Sequence, residues 1–201
     1  MVFTLTGAVS VAADELRIAA LGDSLTAGYG LAPGEGLVPQ LEGWLRARGH
    51  AVQVLNAGVS GDTTSGGLAR LDWTLADAPQ AMIVALGGND LLRGIDPALA
   101  RANLQAILTR LQAEGVPTLL VGLSAPGNYG PEYQAAFNAI YPDLAAAHGA
   151  LLLADLLAPI TAQGPAGLMQ ADMIHPNPAG VALVVESLGP SVEALLAQIG
   201  G

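Results

Sequence analysis

The chain has 201 residues, 52% of them hydrophobic, which is enough for one domain with a sizeable core. It has no cysteine and no lysine, which removes thiol nucleophiles, disulfides, cysteine-held metals, Ser-Lys dyads, Schiff-base lysines and P-loops. A net charge of −10, from 17 acidic residues against 7 arginines, repels polyanions and leaves nucleic acid an unexpected partner.

Met1 to Ala13 is apolar and ends in Val11-Ala12-Ala13 before Asp14-Glu15. It resembles a signal-peptide h-region with a small-residue cleavage site, although a basic n-region is missing. Residues 1–13 are therefore expected to be a leader or signal remnant, and 14–201 a single domain. The expected location is periplasmic or secreted, or cytoplasmic if the leader is not a signal. Beyond it, charges, prolines and glycines interrupt the apolar runs short of the ~20 residues of a spanning helix, so stable membrane insertion is not expected.

Leu16 to Leu21 is a short apolar run closed by Gly22, which reads as a buried strand of a parallel sheet, with Ser24 where the strand stops. Leu25 to Gly36 reads as a loop, and Val38, Leu41, Trp44 and Leu45 fall at helical spacing in a helix over 38–48 ended by Gly49. Val52 to Leu55 is a second strand running into Asn56 to Gly61. Asp62 is expected to cap a helix through about Leu75, and Ala81 to Leu86 is a third strand ending in Gly87-Gly88-Asn89-Asp90. Asp96-Pro97 opens a helix that runs to Leu111, and Val116 to Leu123 is a fourth strand. A helix is expected from about Pro131 to Ala147 and a fifth strand over Leu151 to Leu153. Asn177-Pro178 opens the last helical region, with Gly189-Pro190 expected to break it. Alternating strands and helices imply a parallel sheet covered on both faces.

Ser24 needs a base and a carboxylate to become a nucleophile. Asp172 and His175, three residues apart, suit that need, because the carboxylate can fix the ring so that its other nitrogen faces the serine. His50 and His148 lie at helix ends just ahead of strands, with no partner implied, and read as structural. Asp23 reads as a turn or hydrogen-bonding residue whose side chain points away from that of Ser24, and Asp90 as a helix cap or loop brace. Three scattered histidines propose no third ligand beside Asp172 and His175, so no metal is expected.

Gly22-Asp23-Ser24-Leu25, Gly61, Gly87-Gly88-Asn89-Asp90 and Asp172-Met173-Ile174-His175-Pro176 resemble, in order, the four blocks of the SGNH or GDSL hydrolases. Within that superfamily the wording of residues 61–71, 126–130 and 139–142 is similar to the bacterial multifunctional thioesterase, lysophospholipase and arylesterase group. The resemblance implies a flavodoxin-like, three-layer α/β/α sandwich with a five-stranded parallel sheet. It implies a catalytic Ser24, His175 and Asp172, and an oxyanion hole made of the Ser24 N–H, the Gly61 N–H and the Asn89 amide. A glycine lets backbone approach a ligand and an asparagine donates without carrying charge, so the residue types suit that task. Leu91, Leu92 and Ile95, with Pro126, Asn128 and Tyr129, resemble the apolar lining that related thioesterases use for an acyl chain.

The expected activity is hydrolysis of small-molecule carboxylic esters and thioesters by a monomer without cofactor. A carbohydrate O-acetylesterase with the same apparatus and a more polar site is an alternative, as is a non-catalytic binding module on the same fold. Nucleotide binding lacks the Gly-x-Gly-x-x-Gly or Walker pattern that would accompany it.

Overall fold

Side-chain alternation along the strands decides the layering. In the computed structural model, which describes residues 15–199, β1 (Leu16–Gly22), β2 (Val52–Gly58), β3 (Ala81–Ala85), β4 (Thr118–Val121) and β5 (Leu151–Leu153) form one parallel sheet in the order β2-β1-β3-β4-β5. Ile18 and Ala20 of β1, Ala81 and Ile83 of β3, and Leu119 and Val121 of β4 point to one face; Ala19, Leu21, Met82, Val84 and Leu120 point to the other. Both sets are buried, so the sheet needs a helical layer on each side. The expectation for residues 1–13 lies outside the described residues.

On the first face lie α2 (Leu37–Ala47), α9 (Ala158–Gln163) and α10 (Pro178–Leu196). The second face carries α4 (Leu71–Ala76), α6 (Pro97–Ala113), α7 (Pro131–Asn138) and α8 (Ile140–His148), with α3 (Thr64–Ala69) leading into α4. Two short helices, α1 (Ser24–Ala27) and α5 (Gly88–Leu92), sit at the carboxyl ends of β1 and β3. Among the described residues α10 is long and apolar enough to cross a membrane. Its Val181, Val184, Val185, Leu188, Val192 and Leu195 are instead buried against the first face of the sheet.

Several boundaries differ from the sequence reading. Gly189-Pro190 does not break α10. Pro190 deprives the Glu186 carbonyl of its helical donor, but both residues are exposed and water can take that bond. Gly189 is buried, and a Cβ there would sit 2.5 Å from Trp44 Cη2, so the glycine is a close-packing site between α10 and α2. The helix expected over 62–75 is two, α3 and α4, meeting at Arg70, and Thr63 rather than Asp62 is its N-cap. The helix expected over 131–147 divides at Ala139 because Pro142 has no N–H for the Asn138 carbonyl. α1, α5 and α9 were not expected as helices at all; each is six residues or fewer, too short to display a helical period.

Replacing a helix-interior glycine with alanine ordinarily stabilises by about 1 kcal/mol. At Gly189 the methyl meets the Trp44 ring, and overpacking of this kind costs about 1–3 kcal/mol. Gly189→Ala is therefore expected to lower stability in urea denaturation, and a gain would show that the ring yields without cost.

Candidate active site

The strand order places β1 between β2 and β3, so the chain leaves β1 and β3 toward opposite faces and opens a crevice at their carboxyl ends. β1 stops at Gly22, where a side chain would collide with Thr26, and the backbone turns at once into α1. Asp23 caps that helix, accepting the Leu25 N–H at 3.0 Å, and Gly28 ends it in a left-handed conformation with φ of 82°. Ser24, the first residue of α1, is thereby held above the sheet edge.

His175 reaches Ser24 from the far end of the chain. Its Nε2 lies 2.8 Å from Ser24 Oγ, a contact spanning 151 residues, and its Nδ1 lies 2.6 Å from Asp172 Oδ2. A carboxylate only accepts, so Nδ1 carries the proton and Nε2 is left to accept from the serine hydroxyl. Asp172 Oδ1 also accepts the backbone N–H groups of Ile174 and His175, each at 3.0 Å. The His175 ring bond, followed by these two backbone bonds, holds the Asp172 carboxyl down at about 2.

Gln170 anchors this turn: its Nε2 donates to the carbonyls of Tyr29 at 2.9 Å and Pro176 at 3.0 Å, and its N–H donates to His175 O at 2.8 Å. The Tyr29 ring packs on the His175 ring, with centroids 4.8 Å apart. Sequence reasoning missed both residues, since neither belongs to a block that the resemblance marks. Met173, between Asp172 and His175, has φ of 58°, a left-handed conformation that costs a residue with a side chain roughly 1–2 kcal/mol.

On the other side of Ser24, Asn89 lies on α5 and its Nδ2 donates to the Asp62 carbonyl at 3.0 Å. An amide nitrogen carries two hydrogens, so one remains for a ligand. Gly61 has φ of 87°, and its carbonyl accepts from Arg93 Nη2 at 2.8 Å. Among the described residues neither the Gly61 N–H nor the Ser24 N–H donates to a protein acceptor. Arg70 ties the strand ends together: Nη2 donates to Gly22 O at 2.7 Å, Nη1 to Ala57 O at 2.6 Å and Nε to Asp62 Oδ2 at 2.6 Å. Asp62 thus serves as the partner of Arg70, not as the helix cap expected of it.

A cleft of about 590 Å³ opens beside Ser24 and His175. Leu91, Leu92 and Pro126 line it, as does Asn89. Gly61, Ile95, Asn128 and Tyr129 are not among its lining residues. The Tyr129 ring packs on Tyr133 and its hydroxyl donates to Leu92 O at 3.2 Å, while Ile95 O accepts from the Tyr133 hydroxyl at 3.0 Å, so these two brace the wall from behind. The opposite wall was also missed: Leu157 and Ile160 because α9 itself was not read from the sequence, and Met169, Met173 and Ile174 because the turn around His175 showed its reacting groups and not which side chains face the cleft.

Asp23 also lines the cleft, and the Leu25 N–H bond it accepts is the turn hydrogen bond expected of it. The Asp23 side chain is buried, and burial, opposed by the Leu25 N–H and the nearby His175, pushes its carboxyl up to about 6. Asp90 is a brace as expected, accepting from the Thr64 N–H at 2.8 Å and the Thr64 hydroxyl at 2.7 Å. His50 lies 2.9 Å from Glu193 of α10, and His148, in the last turn of α8, lies 3.3 Å from Gln112. Both are remote from the cleft.

A hydroxyl, an imidazole and a carboxylate in one hydrogen-bonded line at the carboxyl edge of a parallel sheet make the arrangement of a serine hydrolase. Residues 20–183 match the GDSL-like Lipase/Acylhydrolase family. Among curated relatives, the chain is 41% identical over 177 residues to an esterase, TesA, of Pseudomonas aeruginosa, covering 88% of this chain and 87% of that protein. It is 39% identical over 169 residues to the thioesterase 1/protease 1/lysophospholipase L1 of Escherichia coli K12, covering 84% and 78%. A solved TesA structure superposes with a TM-score of 0.83 at 39% identity, over 89% of this chain and 99% of that one. The chain belongs to the GDSL-like lipase and acylhydrolase family, and it is an ester hydrolase.

The two site carboxyls affect stability in opposite senses. Asp23, raised from 3.8 to about 6, favours the folded state at acid pH, and that contribution is lost as pH rises through about 6. Asp172, lowered from 3.8 to about 2, contributes above the ordinary carboxylate range and loses its contribution as pH falls through about 2. Asp23→Asn keeps an oxygen for the Leu25 N–H and removes the ionisation. Relative to this variant, the natural chain is expected to lose about 2 kcal/mol of stability between about pH 4 and pH 7. Denaturant melts at the two pH values measure it, and a constant difference would mean that Asp23 ionises as it does in water.

Proposed function

We propose that the chain cleaves carboxylic esters and acyl thioesters through an acyl-serine intermediate, with Ser24 as nucleophile, His175 as general base and then acid, and Asp172 as the group that orients His175. The relay of 2.8 Å and 2.6 Å contacts from Ser24 through His175 to Asp172 carries this reading. Ser24 Oγ attacks the acyl carbonyl as its proton passes to His175 Nε2, and Asp172 stabilises the resulting imidazolium. The unspent N–H groups of Ser24 and Gly61 and the second Asn89 hydrogen are the donors proposed for the oxyanion, each typically worth roughly 3 kcal/mol in the transition state. His175 then protonates the leaving alcohol or thiol, and water, activated by the same ring, releases the acid.

The cleft supports an acyl chain longer than acetyl. Its walls are mostly leucine, isoleucine, methionine and proline, with Ser124, Asp155 and Thr161 the polar residues away from the catalytic group, and about 590 Å³ exceeds what an acetyl group would fill. The names of the curated relatives, which include an esterase, a thioesterase and lysophospholipase, and an arylesterase from Vibrio mimicus, agree with such a substrate range. The proposed catalytic side chains complete one another within a single chain, so the reaction as proposed needs no residue from a partner subunit.

Ser24→Ala is expected to abolish labelling by a fluorophosphonate and to reduce turnover of p-nitrophenyl esters by at least about 10³-fold. Turnover equal to that of the natural chain would refute the acyl-serine pathway. With the natural chain, kcat/KM is expected to rise from acetate to octanoate; a maximum at acetate would favour the O-acetylesterase reading.

A further inference from the structure

The turn between Asp172 and His175 has to reverse sharply, because one carboxylate gathers two successive backbone N–H groups as well as the imidazole. The reversal puts residue 173 in the left-handed region, φ 58°. Glycine takes that geometry without steric cost, and the chain uses glycine for it at Gly28, Gly61, Gly87 and elsewhere. Among the described residues only Ala78 and Met173 adopt it with a side chain, and Ala78 lies in the turn before β3.

Met173 has a feature that Ala78 lacks: its side chain lines the cleft while 59% exposed. Ile174, 45% exposed, stands beside it, and Leu92, 56% exposed, lines the same cleft from α5. These apolar side chains at the mouth of the cleft lose their contact with water only when something apolar lies between them. A thioether on three rotatable bonds fits itself to partners of different length and shape.

We propose that Met173 is a specificity-determining residue that covers the acyl chain of the substrate next to the catalytic histidine, and that this contact is why a side chain is kept at a position where the backbone favours glycine. The inference rests on the acyl-ester reading above. Through Met173, the turn that aligns His175 also forms part of the acyl site, so one segment both positions the base and selects the chain.

Met173→Gly and Met173→Asn both suit left-handed backbone and remove the apolar contact; Met173→Leu keeps it. With p-nitrophenyl acetate and p-nitrophenyl dodecanoate, the ratio of kcat/KM for dodecanoate to that for acetate is expected to fall about tenfold in the glycine and asparagine variants, mainly through KM. Met173→Leu is expected to restore most of that ratio, and Met173→Gly to melt no lower than the natural chain. An unchanged ratio in both polar-tolerant variants overturns the proposal. So does an equal loss on both esters, which would place Met173 in the support of His175 and not in contact with the chain. If the natural chain hydrolyses neither ester, or Ser24→Ala matches it, the acyl-serine reading fails first and the Met173 proposal falls with it.

Discussion

Parallel strands present all their carboxyl ends at one edge, and the hydrogen bond between Ser24 and His175 exists because of that constraint. The serine follows the first strand and the histidine precedes the last helix, yet the loops that carry them emerge on the same side of the sheet. Gly22 and Gly58 add the local part of the constraint, since a Cβ on either would collide with α1 and push Ser24 off the sheet edge. Arg70 completes it by holding the Gly22 and Ala57 carbonyls on one guanidinium, which links the ends of β1 and β2.

Electrostatics divides the site between two carboxyls with contrasting surroundings. Asp172 is half open to water and surrounded by donors, so it stays ionised and can steady a positive imidazole. Asp23, buried beside Ser24, has one backbone donor and is driven toward the neutral form. A second full negative charge next to Ser24 would oppose an oxyanion forming there, and burial of Asp23 reduces that charge near and below pH 6.

The cleft walls differ in how they are supported. On the α5 side, Leu92 is backed by Tyr129, and Tyr129 by Tyr133 and Phe137 in a row of rings that leads into the buried core. On the α9 side, the turn from Met169 to Asn177 is held by Gln170, by a single antiparallel bridge between Met169 and Pro176, and by Asn177, which caps α10 and also donates to Gly167 O. His175 therefore sits in a loop stitched by side-chain amides and not in a regular element, an arrangement that lets it meet Ser24 without distorting the sheet.

Much of this was legible in the residues themselves. The runs at 16–21, 52–55, 81–86, 116–123 and 151–153 marked all five strands: β3 and β4, and β1 beyond Arg17, are largely apolar because both faces are covered, while the edge strands β2 and β5 are only partly buried and were marked by short, mostly apolar runs between turn residues. Asp172 and His175 stood out as a carboxylate three residues from an imidazole, and Ser24 through the Gly-Asp-Ser-Leu block, whose order with the other blocks resembles the SGNH hydrolases. Short helices left no mark, since α1, α5 and α9 are shorter than the two turns over which a helical period shows, and the Leu157 and Ile160 part of the cleft wall was lost with α9. Gly189-Pro190 misled for a related reason: local propensity reads it as a break, whereas packing against Trp44 and solvent on the other side make it a tolerated site within one helix. Sequence alone determined the strands, the layers and the identity of the groups proposed to react, because these depend on hydrophobicity and functional-group chemistry that each residue carries with it. Only the tertiary structure decided the burial that raises Asp23, the left-handed turn at Met173 and the membership of the cleft, because each depends on which distant surfaces come into contact.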